Sequence, residues 1–188
     1  MNTYNTFRRV PGFTLIELLV VMAIAAILLS IAIPNFQTFV LNNRMASQSN
    51  DLLAAMQLAR SEAIKRGIRV SVCKSANPMS NAPGCTTGGA WAQGWIVFAD
   101  GGVAGEVDGT DAVIHSFGPL AGSSTVTTSA DVSDFVSYQS NGQTTLATGA
   151  EASFSICPGT TGTGVAGRGV SITASGRARI GEPADVCS

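Results

Sequence analysis

Few side chains in this sequence are placed to do chemistry. The single histidine, His115, lies in AVIHSF, whose alternating and β-branched neighbours fit a strand better than a catalytic loop. No Ser-His-Asp spacing, nucleotide-binding glycine loop or HExxH occurs, so the chain reads as a non-enzyme without a cofactor. Asp100, Glu106, Asp108 and Asp111 in DGGVAGEVDGTD offer oxygen ligands for calcium, but their spacing departs from the EF-hand template. A glycine-aspartate hairpin loop accounts for them better. Arg168, Arg177 and Arg179 cluster near the C-terminus, the last two in SGRARIGEP. If GRARI is extended, Arg177 and Arg179 share one face by the period of two and present forked guanidiniums suited to successive phosphates.

Charge sets the limits of that site. The whole chain carries 11 basic and 12 acidic residues, a net charge of -1, so no global field favours nucleic acid. Beyond Gly67, Arg69, Lys74, Arg168, Arg177 and Arg179 face nine acids. DNA would be repelled overall and attracted only locally, through a few salt-sensitive phosphate contacts. The competing reading is two solvated arginines flanking a turn and pairing with Glu182 or Asp185.

One acid stands apart. From Phe13 to Ile33 the only charged residue is Glu17, in a run whose length suffices for a hydrocarbon core of about 30 Å. Arg8 and Arg9 precede this run, which by the positive-inside rule leaves the short leader in the cytoplasm and the remainder outside. A cleavable signal would end in a small-x-small site after the run; here Pro34, Asn35 and Phe36 follow, and the small residue, Gly12, lies before it. An isolated carboxylate in hydrocarbon is costly, so Glu17 is neutral, paired with a cation, or solvated near the cytoplasmic interface.

The elements that position these residues follow from pattern. Phe36, Val40, Met45, Leu52, Met56, Ala59 and Ala63 recur at helical spacing, with Asn43, Gln48, Asp51, Arg60, Glu62 and Lys65 largely off the stripe. Gly67 after Arg66 marks the helix end. Pro34 predicts a kink or a melted stretch near Ile31 to Asn35 within an otherwise continuous helix. IRVSVC, GWIVFA, AVIHSF, DFVSY, ASFSIC and GVSIT read as strands, whereas AGSSTVTTSAD and PGTTGTGVAGRG read as loops. The fold class is α+β, a long N-terminal helix on a small, mostly antiparallel head. Cys73, Cys85, Cys157 and Cys187 all fall in the part placed outside, where disulfides form. Four cysteines allow three pairings, and proximity favours Cys73 with Cys85 and Cys157 with Cys187. With one histidine and no CxxC pair, a metal site is not expected.

GFTLIELLVVMAIAAILLSIAIPNF resembles the N-terminus of type IV pilins and pseudopilins, and NNRMASQSNDLLAAMQLARSEAIKRGIRVSVCKS with WAQGWIVFAD resembles the GspH/FimT group of minor pilins. The likeness covers about the first hundred residues. It implies a leader at 1–12, a transmembrane and filament-core helix at 13–34, its amphipathic continuation at 35–67 and a β-rich head at 68–188. It further implies cutting after Gly12 by prepilin peptidase, methylation of the new amine at Phe13, and Glu17 meeting the Phe13 amine of a neighbouring subunit. The function implied is that of a minor subunit in pilus assembly, held in the inner membrane and then in an extracellular filament with major and minor pilins. GRARI resembles the GRxR motif of FimT-type pilins associated with DNA capture, so double-stranded DNA is a second expected partner. A type II secretion pseudopilin shares the leader and helix and is the third reading.

Overall fold

The computed structural model describes residues 12–109, 111–159, 165–181 and 187. The chain divides into two compact units, Met1–Phe39 and Val40–Ser188. One helix, α1 (Leu15–Arg66), contributes to both and is helical through Pro34. The stretch Ile31 to Asn35 therefore does not melt. Pro34 lacks the N–H that would bond Ser30, and beside it the Asn35 side-chain amide donates to the Ile31 carbonyl at 3.0 Å. The helix ends where the sequence places the stop: Gly67 adopts φ 68° and its N–H bonds the Ala63 carbonyl at 3.0 Å.

The second unit holds two four-stranded antiparallel sheets. The first has the order β3-β2-β1-β5, from β1 (Val70–Lys74), β2 (Trp95–Ala99), β3 (Ala112–Phe117) and β5 (Phe135–Tyr138). The second has the order β4-β6-β7-β8, from β4 (Thr125–Thr128), β6 (Glu151–Cys157), β7 (Arg168–Thr173) and β8 (Ala178–Gly181). Six strands fall where alternation puts them. β8 lies in the GRARI stretch, whose extended form the sequence left conditional, and β4 is the exception: Thr125–Thr128 lies inside a stretch read as loop, yet pairs with Cys157 to Phe154 of β6. Its pattern of three threonines around one valine carries little apolar signal, so pairing rather than burial forms it.

The helical stripe is shifted from the one the spacing suggests. Phe36 and Val40 are exposed, and burial starts at Met45, continuing through Gln48, Ser49, Leu52, Ala55, Met56, Ala59 and Ala63. Gln48 and Ser49 belong to the buried face because their polar atoms are engaged: Gln48 Nε2 donates to the Ala121 carbonyl at 2.9 Å and Ser49 Oγ to that of Ala46 at 3.0 Å. Alanines at 55, 59 and 63 leave room for close approach to Val70, Val72, Phe154, Val170 and Ile172 in one cluster.

The first sheet is covered on both faces. Val72, Val97 and Val136 face the helix cluster, while Cys73, Ile96 and Phe98 form a second cluster with Cys85, Val113 and Phe135. This explains why β1 and β2 are buried at every position instead of alternating. The disulfide Cys73–Cys85, Cα atoms 5.6 Å apart, pins the 75–90 loop over that second face. Cys157–Cys187, Cα atoms 5.5 Å apart, ties the residue before the C-terminus to the end of β6. Both pairings are those that proximity favours.

Candidate functional sites

The N-terminal site begins at the helix start. Thr14 precedes α1, and its Oγ1 accepts the Glu17 backbone N–H at 3.3 Å. This is the first half of a capping box, in which a Thr at the cap satisfies the N–H three residues on and an acid stands at that position. Glu17 thus also sits where a carboxylate complements the positive helix end. TLIE is the signal for this role, and reading Glu17 only as a membrane charge misses it. Around it, Phe13, Leu15, Ile16, Leu18, Leu19 and Val20 are all exposed. An 18-residue window of α1 has a mean hydropathy of 2.8 with none of it buried, so this part of the helix meets the length and composition for a membrane span.

The arginine site lies on the outer face of the second sheet. The inner face carries Ala152, Phe154, Ile156, Val170 and Ile172, all fully buried. Alternation puts Glu151, Ser153, Gly169, Ser171, Thr173, Arg179 and Gly181 on the other side, where Gly169 stands opposite Gly181. Arg177, just before β8, shares this parity with Arg179, and both are exposed. Arg168 does not join them: opposite Ile156 at the far end of β7, it has the parity of the inner face. The three arginines therefore form a pair and an outlier.

The pair is not equivalent. Arg179 Nη2 donates to Glu151 Oε1 at 2.7 Å and Nε to Ser171 Oγ at 2.9 Å. Ser171 and then Arg179 hold the Glu151 carboxyl below its ordinary range. Arg177 has no ion-pair partner among the described residues, whereas Lys74 is paired with Asp134 and Arg69 with Asp100. Glu182 and Asp185, the alternative partners read from sequence, lie outside the described residues. The turn before Arg177 is fixed in place: Thr173 N–H bonds the Arg177 carbonyl at 3.1 Å, and a Cβ on Gly176 would stand 1.9 Å from the Gly142 carbonyl oxygen. Thr144 N–H bonds the Ala174 carbonyl at 3.0 Å, so the Gln139–Gln143 turn after β5 braces this turn from the first sheet.

The acidic loop between β2 and β3 is a hairpin loop folded by its own carboxylates. Asp111 accepts the Gly101 N–H at 2.9 Å and Asp108 that of Val103 at 3.0 Å. Asp100 is buried and accepts from Arg69 Nη2 at 2.6 Å, Ser71 Oγ at 2.5 Å and Gly105 N–H at 2.9 Å. The Asp100 hydrogen bond in turn raises the Arg69 pKa above its ordinary value. These acids satisfy backbone donors, which accounts for their spacing without a metal. His115 is exposed on β3 with its ring edge-on to Phe117, centroids 4.6 Å apart.

Comparison with known proteins accords with this geometry. Residues 48–176 match the family model described as type II transport protein GspH, and residues 7–33 the prokaryotic N-terminal methylation motif. No curated protein sequence matches. Among solved structures, the type IV minor pilin FimU of Pseudomonas aeruginosa superposes with a TM-score of 0.57 at 21% identity, covering 79% of this chain and 96% of that one. A second crystal form of FimU gives 0.51 at 22% identity, covering 75% and 95%. The minor pseudopilin EpsH from the type 2 secretion system of Vibrio cholerae gives 0.49 at 12% identity, covering 76% and 99%. At these identities the FimU likeness is one of fold, and the family models carry the assignment. The chain belongs to the GspH family of minor type IV pilins and pseudopilins.

Proposed function

We propose that this protein is a minor subunit of a type IV pilus, cut after Gly12 by prepilin peptidase, methylated at Phe13, and held in the inner membrane with its head outside until it enters the filament. The observation that carries this reading is the apolar surface of α1 from Leu15 to Phe39, which is exposed on all sides behind a methylation motif. Such a surface is stable only in lipid or packed against other apolar helices. Glu17 then sets register by meeting the Phe13 amine of a neighbouring subunit, a cation that would stabilise an ionised carboxylate in an apolar setting. Replacing Gly12 by Val should leave the precursor mass unchanged in membranes, while the wild type should begin at Phe13. Normal shortening of the variant would overturn the cut site.

A second role is favoured by the exposure of Arg177 beside Arg179: contact with successive phosphates of double-stranded DNA. The detergent-solubilised protein should bind duplex DNA in a salt-sensitive way, and the Arg177→Gln, Arg179→Gln variant should lower the slope of log affinity against log salt by about two. Equal slopes would remove the arginines from any DNA site. The type II secretion reading rests on the description of the matched family model. A deletion strain separates it from the pilus reading, through loss of an exported protein in one case and loss of surface pili in the other.

A further inference from the structure

The turn that carries Arg177 has a second arginine beside it, supplied by a different element. Arg60 lies on α1 and is half-buried. Its Nε is lodged between two glycine turns: a Cβ on Gly142 would stand 3.2 Å from it and one on Gly176 3.4 Å. Gly142 and Gly176 have φ of 78° and 80°, so the backbone favours glycine there, and the missing side chains leave the space that Arg60 fills. Gly176 immediately precedes Arg177, and consecutive Cα atoms are about 3.8 Å apart. The helix thereby brings a guanidinium to the base of Arg177.

No acid answers Arg60 within the head. The positions three and four residues away on the helix, Met56, Gln57, Ala63 and Ile64, are uncharged. Glu62 is engaged by Lys65 and Arg66, and Glu151 by Arg179. Among the described residues the Arg60 side chain makes neither an ion pair nor a hydrogen bond, and the same holds for that of Arg177. The Tyr138 hydroxyl is buried without a hydrogen-bond partner; burial raises its pKa and the Arg60 charge opposes that rise, so the two groups sense each other without bonding. A cation partly withdrawn from water and left without a counter-charge is costly until an anion from outside meets it.

The order of the arginines indicates the kind of anion. Arg179, Arg177, the Gly176 turn and Arg60 follow one another along β8 and past its start, and Glu151 is the acid bonded to one of the three. A single carboxylate would answer one guanidinium. A row of them matches a polymer that carries a negative charge on every unit, as a phosphate backbone does.

We propose that Arg60 is a third phosphate contact of the DNA site, placed beyond Arg177 and supplied by α1. This rests on the reading of Arg177 and Arg179 as DNA contacts, and it extends their site from the second sheet onto the helix.

The test measures duplex DNA binding by the detergent-solubilised full-length protein at several salt concentrations. Arg60→Gln should lower the slope of log affinity against log salt by about one, and combined with Arg177→Gln and Arg179→Gln by about three. Arg60→Lys keeps the charge and should keep the slope, whereas a role confined to packing between the turns would leave the slope unmoved in every Arg60 variant. An unchanged melting temperature of the head checks that the turns stay in place; if Arg60→Gln lowers it, Arg60→Met, which retains an apolar stem, replaces it. A wild-type slope for the uncharged Arg60 variant, beside a reduced one for Arg177→Gln, Arg179→Gln, overturns the Arg60 assignment alone. Wild-type slopes throughout overturn the DNA site itself. Polyglutamate binding as tight as that of DNA, and lost with Arg60, would make this a site for protein carboxylates and overturn the phosphate contact.

Discussion

Residues 15–39 and 40–66 of α1 share one type of backbone and meet different surroundings. In the first stretch leucine, isoleucine and valine occur on every side, and their side chains stay exposed; Leu15 is 77% exposed and Ile31 61%. In the second, the large apolar residues that are buried are Met45, Leu52 and Met56, on one face and interleaved with alanines that are wholly buried, while Ile64 stays exposed. The comparison separates two uses of hydrophobicity. A helix apolar all round stores its burial for a later environment, whereas a helix apolar on one stripe spends it within its own head.

That contrast can be broken at several points. The largest effect belongs to Glu17→Ala, which should reduce the amount recovered in sheared pili by about tenfold or more, since 1.4 kcal/mol of lost pairing already gives that factor. The head's melting temperature should stay unchanged, and wild-type incorporation would sink the register role. Leu52→Ala should do the reverse, costing the head about 2–5 kcal/mol in thermal or urea unfolding while the precursor is still cut normally. A head melting like the wild type would show that the stripe does not hold it. The smallest effect is expected at Glu151. Its carboxyl lies below the ordinary value of 4.5 through Ser171 and Arg179, so its contribution to stability is present above that value and fades as pH falls through the lowered pKa. Glu151→Gln should flatten the acid limb of the head's stability profile slightly, and an unchanged profile would remove the pair from the acid response.

Much of this was legible from residue pattern. The helix stop at Arg66 and Gly67 and six of the strands follow from local signals that tertiary packing reinforces. Phe36 and Val40 mislead because a helix apolar all round continues any stripe drawn through it, so period alone cannot mark where the head begins. Gln48 misleads in the opposite sense: its burial depends on the Ala121 carbonyl, a partner 73 positions away that no window contains. The arginine pair was legible as a shared face, but the separation of Arg168 required the register of β7 against β6. Nor does spacing reveal that Glu151, remote in sequence, engages Arg179.

The bracing of one turn by another has a further consequence. Because Gly176 lies against the Gly142 carbonyl, the backbone that carries Arg177 is already ordered before anything touches it. A ligand meeting this arginine immobilises one side chain, at about 0.5–1.5 kcal/mol, and does not have to organise a loop as well. Pre-organisation of that kind lets a contact of few groups exchange rapidly and still be felt, provided that many copies or many phosphates share the work.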